Sequence, residues 1–128
     1  MEILRKKFIC KNQIKKGLNG VRDAIEYIKN DFSIALMIDQ RVSEGEKINF
    51  YKKPALTTTL PAQLALKYKL SIIPVFIQRK SNSKFVLEFQ NEIKSEDFHD
   101  KLELTQKLNE VLEKMVVRNP SQWIWTHN

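Results

Sequence analysis

Apolar and polar positions along this chain follow two periods, and the changes of period mark its elements. Val21, Ala24, Ile25 and Ile28 recur at helical spacing, with Arg22, Asp23, Glu26 and Lys29 turned away. This predicts a helix from Gly20 that ends at Asn30-Asp31. Upstream, Met1–Phe8 reads as the end of a helix and Phe8–Ile14 as holding a short strand. Ser33–Ile38 (SIALMI) is an unbroken apolar run, which predicts a strand covered on both faces. Asp39–Pro54 shows no period and contains Gly45 and Pro54, so it reads as a long loop.

Thr57-Thr58-Thr59-Leu60-Pro61 then announces a helix. A threonine suits the N-cap, Pro61 suits the first turn, and Leu60, Leu64 and Ala65 form a short apolar stripe ending near Lys69. Ile72–Arg79 (IIPVFIQR) predicts a second buried strand. Pro74 lacks an amide donor, so the strand is expected to lie near an edge or to bulge there. Ser81-Asn82-Ser83 marks a turn, and Lys84–Gln90 alternates as the hairpin partner. Leu104, Leu108, Val111, Leu112 and Met115 outline an amphipathic helix over roughly residues 100–118. Pro120 and the aromatic segment Trp123-Ile124-Trp125 follow it.

Strand, helix, strand between residues 33 and 79 reads as a right-handed βαβ crossover. The expected fold class is therefore α/β: a mixed, mostly parallel sheet with flanking helices, the hairpin adding one antiparallel strand.

A length of 128 residues fits one small domain. With 42% hydrophobic and 29% charged residues, three Gly and four Pro, the composition excludes disordered, collagen-like and low-complexity classes. No apolar run approaches the roughly 20 residues of a membrane span, and no apolar segment behind Arg5-Lys6-Lys7 resembles a signal peptide. The single cysteine, Cys10, makes neither an internal disulfide nor a metal site alone, which points to a reducing compartment.

The net charge of +7 is unevenly placed. Residues 1–16 hold six basic side chains (Arg5, Lys6, Lys7, Lys11, Lys15, Lys16) against Glu2, or +5, and the rest of the chain carries only +2. This basic N-terminal segment suits nucleic acid, anionic lipid or an acidic protein. The plainer reading is a solvated terminus.

Ligands of open α/β sheets gather beyond the carboxyl ends of parallel strands. On the expected topology these ends are Asp39-Gln40-Arg41 and Gln78-Arg79, with Asp39 either at a site or simply pairing with Arg41 or Arg79 to hold the loop. The threonine triplet, Thr57 and Thr58 above all, offers hydroxyls and helix amides to an anion, or merely caps its helix. His99 lies in a polar loop and His127 is near the end of the sequence. There is no Ser/His/Asp arrangement, no metal-spaced His or Cys cluster and no glycine-rich phosphate loop, so no cofactor and no metal are implied.

Three segments in succession, Ile34–Gly45 (IALMIDQRVSEG), Pro54–Tyr68 with Ile72–Arg79, and Asn119–His127 (NPSQWIWTH), resemble the lipid A biosynthesis acyltransferases. These are the lauroyl/myristoyl transferase branch of the lysophospholipid acyltransferase superfamily. The resemblance runs from about Gly17 to the end. It implies that the strand ending in Asp39-Gln40 belongs to the acceptor-site region. It also implies that the strand containing Pro74 corresponds to the superfamily's fourth motif.

One departure is decisive. The family's catalytic motif is His followed five positions later by Asp or Glu, the His acting as general base. Here the fifth residue after His99 is Leu104, and His127 has no residue at that distance. The chain thus looks like the carboxyl-terminal portion of such an enzyme, a partial acyltransferase domain over 1–128 with no catalytic residue of its own.

The resemblance implies transfer of a fatty acyl chain from acyl carrier protein or acyl-CoA to a hydroxyl of a lipid A precursor, at the cytoplasmic face of the bacterial inner membrane. It implies an anionic membrane surface as partner and no nucleic acid. Asp39, Gln40, Arg41, Thr57, Thr58 and Arg79 are the expected substrate-binding residues. The alternative is a non-enzymatic module whose basic N-terminus docks on an anionic lipid, nucleic acid or an acidic partner. An exposed apolar sheet surface, with self-association through it, is also expected.

Overall fold

The computed structural model describes residues 2–15, 17–40, 42 and 45–123, without the side chains of Glu2 and Arg5. The chain divides into two compact units, Met1–Leu36 and Met37–Asn128.

In the first unit, helix α1 spans Glu2–Phe8 and helix α2 spans Leu18–Lys29. Between them, residues 8–14 contain no strand. The hairpin partner such a strand would need is absent among the described residues, and the segment instead makes local bonds such as Gln13 Nε2 to the Cys10 carbonyl, 2.9 Å. The α2 N-terminus depends on small residues. A Cβ at Gly20 would lie 1.7 Å from the Lys15 carbonyl oxygen, so only glycine admits that close approach of the main chain.

Helix α2 ends where the sequence indicates. Asp31 takes the left-handed conformation at φ 61°. The Phe32 amide donates to the Tyr27 carbonyl at 3.0 Å and the Asp31 amide to Ile28 at 3.1 Å. This is the Schellman closure, and its usual apolar contact is present, with the rings of Tyr27 and Phe32 edge to face at 5.5 Å.

The second unit is built on antiparallel ladders and two helices. Strands β1 (Glu46–Phe50) and β2 (Lys53–Thr57) form a hairpin; helix α3 follows at Leu60–Tyr68. Strand β3 (Ser71–Ile72) pairs with β6 (Ile93–Lys94), and β4 (Val75–Arg79) pairs with β5 (Phe85–Phe89). Helix α4 runs from Lys101 to Arg118. Short 3-10 turns occupy Ser95–Asp97 and Pro120–Gln122.

The core sits between α3 and α4. Ala62, Ala65 and Leu104 are fully enclosed, and Leu66, Leu70, Ile72, Ile93 and Phe98 pack around them. Alanines on α3 let its backbone approach Leu104 of α4, which explains why so short a helix anchors the unit. Asp100 starts α4, its Oδ1 accepting from the Leu102 and Glu103 amides at 2.7 and 2.9 Å. Glu103 reaches back to the His99 amide at 2.8 Å, a variant of the capping box.

The β1–β2 hairpin rests on α4 through buried Ile48 and through Asn109. Asn109 is 4% exposed and donates to the Asn49 carbonyl at 3.0 Å, so this polar group inside the helix's apolar face is satisfied. Tyr51 adds a main-chain bond to Glu113 Oε1 at 2.6 Å and a hydroxyl bond to the Glu113 carbonyl at 3.0 Å.

Several expectations are corrected. The sheets are not mostly parallel, since the three ladders among the described residues are all antiparallel. Residues 33–38 form no strand: they run without regular structure, and Leu36 and Met37 are 43% and 71% exposed. The βαβ crossover therefore does not form. The strand before α3 is β2 instead, which closes on β1 through Tyr51-Lys52, two residues both at positive φ (49° and 62°). A two-residue connection lets β1 and β2 pair locally, and the region read as loop becomes the hairpin. The strand predicted as buried over Ile72–Arg79 is divided at Pro74 into β3 and β4, each with a different partner, and it is not buried: Ile73 and Ile77 are 55% and 56% exposed.

The carboxylates of Asp100 and Glu88 both titrate below their ordinary range. The amides of Glu103 and Leu102 hold Asp100 charged, and the Arg118 hydrogen bond does so for Glu88. A depressed folded value means stability is fully present above the ordinary carboxylate values, 3.8 and 4.5, and is lost as pH falls through the folded ones. Thermal melts should be flat from neutral pH down to about 4.5 and then decline. An Asp100→Asn, Glu88→Gln double variant should show a shallower decline, and an unchanged slope would show that these groups do not carry it.

Candidate functional site

The site is framed by the β4–β5 hairpin and the turn that follows α4. In the β4–β5 register, Val75 faces Phe89, Ile77 faces Leu87 and Arg79 faces Phe85. Residues directly opposite in an antiparallel pair share a face, so these six side chains form one surface. Its apolar members are all open to solvent, from Val75 at 39% to Phe89 at 71%. The single polar member is Arg79, whose guanidinium carbon lies 5.3 Å from the centre of the Phe85 ring. Cation and ring support each other there, and the charge is held over an apolar floor.

Helix α4 meets the opposite face at its last turn, and Val86 on that face stays 48% exposed. Arg118, in the last turn of the helix, makes a two-pronged pair with Glu88, Nη1 to Oε1 at 2.7 Å and Nη2 to Oε2 at 2.8 Å. The same guanidinium lies 4.5 Å from the Phe76 ring centre, and Phe76 is the cross-strand neighbour of Glu88. One arginine thus ties α4 to both strands. Both partners are about half exposed, so the pair's value is in orientation more than in stability.

The carboxyl end of β4 is fixed from the side by Gln122. The Arg79 amide donates to Gln122 Oε1 at 3.2 Å, and Gln122 Nε2 donates to the Arg79 carbonyl at 2.9 Å. The side-chain amide stands in for one residue of a neighbouring strand and fills that rung of the free edge. Trp123 next to it lies 6.2 Å from the Phe50 ring, tying the turn to the β1–β2 hairpin. Between these elements lies an open groove of about 410 Å³, lined by Ile77, Arg79, Phe85, Ser121 and Gln122.

Of the residues expected at a substrate site, Arg79 alone among the described ones lines this groove. Asp39 and Gln40 lie exposed at a bend, and Asp39 makes no ion pair with Arg79. Arg41 lies outside the described residues, as do Trp125 and His127 of the closing segment. The hydroxyls of Thr57 and Thr58 are engaged within the fold. Thr57 Oγ1 donates to the Ala55 carbonyl at 3.2 Å and accepts from Asn109 at 3.4 Å, and Thr58 Oγ1 accepts from the Leu60 amide at 3.3 Å. Thr59 takes the N-cap position without a side-chain cap bond, its hydroxyl accepting instead from Gln63 Nε2 at 2.7 Å.

Sequence reasoning missed Gln122 and Arg118. Gln122 stood in plain view in the Asn119–His127 segment, whose role in clamping a strand is invisible without the fold. No group of three or more His, Cys, Asp or Glu residues that would hold a metal ion occurs among the described residues. Among them, too, no helix is long and apolar enough to cross a membrane.

An open apolar sheet face ended by an oriented guanidinium is suited to an amphiphile with an anionic head. The chain belongs to the bacterial lipid A biosynthesis acyltransferase family, whose model matches residues 4–128. This bears out the resemblance carried by the three segments, and an acyl-transfer function of the lipid A type is what the membership supports. No curated protein matches the chain.

Proposed function

We propose that this chain supplies the acceptor-lipid side of an acyltransferase that moves a fatty acyl group from acyl carrier protein or acyl-CoA to a hydroxyl of a lipid A precursor. The supporting observation is the groove at the end of β4, where Arg79 is held by Gln122 through its main chain and by Phe85 through its side chain. In this reading Arg79 pairs with a phosphate of the acceptor and Ile77 and Phe85 accept the first carbons of its acyl chains. Asp39, Gln40 and Arg41 keep the acceptor-side role that the family pattern gives them. Thr57 and Thr58, whose hydroxyls bond within the chain, serve the fold.

In the transfer itself, the acceptor hydroxyl oxygen attacks the thioester carbonyl carbon while a general base removes its proton. The C–S bond then breaks and the thiol leaves. No residue of this chain matches the family's base, so the base belongs to a partner segment bearing the His-x4-Asp/Glu motif. The reading places the enzyme at the cytoplasmic face of the inner membrane, where such lipids and donors meet.

Binding of a phosphorylated lipid A precursor in detergent micelles tests the reading. A charge-assisted pair is worth roughly 1.5–3 kcal/mol, so Arg79→Gln should weaken binding by about tenfold or more. The dephosphorylated lipid should bind the parent chain as weakly as the phosphorylated lipid binds the variant. Equal affinity of parent and variant for the phosphorylated lipid would remove Arg79 from the site.

A further inference from the structure

The hydrogen-bonding groups around the groove are unevenly used, and those left over select among ligands. The Lys80 amide donates to the Lys84 carbonyl at 2.7 Å, and the Gln90 amide donates to the Pro74 carbonyl at 2.9 Å. Phe76 and Gln78 lie between those rungs in the alternating pattern and bond across to β5. Ile77 and Arg79 therefore turn their main-chain groups to the other edge of β4. There Gln122 takes both groups of Arg79, the amide at 3.2 Å and the carbonyl at 2.9 Å. The next rung, the amide and carbonyl of Ile77, bonds to no described residue.

Ser121 stands in the same wall. Its hydroxyl donates to Asn119 Oδ1 at 2.9 Å, which commits the proton and leaves the oxygen as an acceptor. Gln122 Nε2 carries a second N–H beyond the one given to Arg79. The groove thus presents the Arg79 cation, two donors (the Gln122 N–H and the Ile77 amide) and two acceptors (Ser121 Oγ and the Ile77 carbonyl). A phosphate on a diacylglycerol brings oxygens alone, which suit the cation and the donors but leave both acceptors facing acceptors. A phosphate on a headgroup that also bears hydroxyl or amide N–H groups suits all of them.

We propose that Ser121 is a specificity residue of this groove, its oxygen accepting a hydrogen bond from a hydroxyl or amide N–H beside the phosphate held by Arg79. The Ile77 carbonyl accepts a second such bond, and Asn119 acts through Ser121 by fixing the direction of its proton. The inference rests on the acceptor-lipid reading and adds to it the means by which the groove prefers a glycosyl phosphate to a glycerol phosphate of equal charge.

Titration in detergent micelles tests this with two probes, the phosphorylated lipid A precursor and phosphatidic acid. The parent chain should bind the precursor at least about tenfold more tightly, as two added hydrogen bonds allow. Ser121→Ala should weaken precursor binding about fivefold and leave phosphatidic acid binding and the thermal melt unchanged. Ser121→Thr keeps the oxygen and should keep the preference. Equal affinity of the parent for both lipids, each weakened by Arg79→Gln, would overturn this inference while the acceptor reading stood. Equal weakening of both lipids by Ser121→Ala would overturn it too, giving Ser121 a role in the turn alone. Binding of neither lipid, or binding indifferent to Arg79→Gln, would overturn the acceptor reading and this inference with it.

Discussion

Incubated with an acyl carrier protein thioester and a lipid A precursor, this chain by itself should yield no acylated product. The family's reaction needs a base on the acceptor hydroxyl, and His99 is followed at the fifth position by Leu104, an aliphatic side chain buried in the core. His99 is itself exposed in the turn before α4, and its amide is occupied by Glu103. A positioned general base contributes roughly 10²–10⁴-fold. Hydroxyls at neutral pH attack thioesters slowly without one, so product should stay at the level of a protein-free control. Mass spectrometry of the lipid fraction measures this. Sustained turnover by the purified chain would mean that the base is here and has been missed.

Leu104→Ala should be the most damaging single truncation in the second unit. Leu104 has no exposed surface and clusters with Ala62 and Ala65 of α3 in the core. Removing the side chain leaves a cavity that two alanines cannot collapse to fill, at a cost of about 2–5 kcal/mol. For a unit of this size that corresponds to a drop in melting temperature of roughly 10 °C or more. Val117, on the same helix but 66% exposed, is the control, and Val117→Ala should move the melt by only a few degrees, as a surface change of about 0.5 kcal/mol does. Tryptophan fluorescence followed on heating records both, since Trp123 lies beside Phe50 of the same unit. Equal effects of the two substitutions would show that the α3–α4 contact is not the core.

The sequence made the helices legible because their apolar stripes and end signals are local. Asn30-Asp31 stops α2 through a closure that involves only neighbouring residues, and Leu104 and Leu108 mark the buried side of α4 without reference to anything else. The β4–β5 hairpin was legible for the same reason, since Ser81-Asn82-Ser83 supplies left-handed positions at Asn82 and Ser83.

The other strands were not legible. The β1–β2 turn uses Tyr51 and Lys52 at positive φ, residues that send no turn signal, and Tyr51 is held by Glu113, 62 positions away. Residues 33–38 have the composition of a buried strand, yet a strand exists only where a partner pairs with it, and composition is silent on the partner. Arg79 was singled out from its place after an apolar run. Its actual surroundings, Gln122 and Phe85, follow from tertiary contacts that no spacing encodes.

The central claim is that the groove beneath Arg79 receives the acceptor lipid, and photolabelling tests it most directly. A lipid A precursor carrying a photoreactive group early in one acyl chain should be incubated with the chain in micelles, irradiated, and the labelled peptides sequenced. The label should fall on Ile77, Phe85 or Ser121, and an excess of unlabelled phosphorylated precursor should suppress it. Labelling confined to residues outside the β4–β5 hairpin and the Pro120–Gln122 turn would contradict the account.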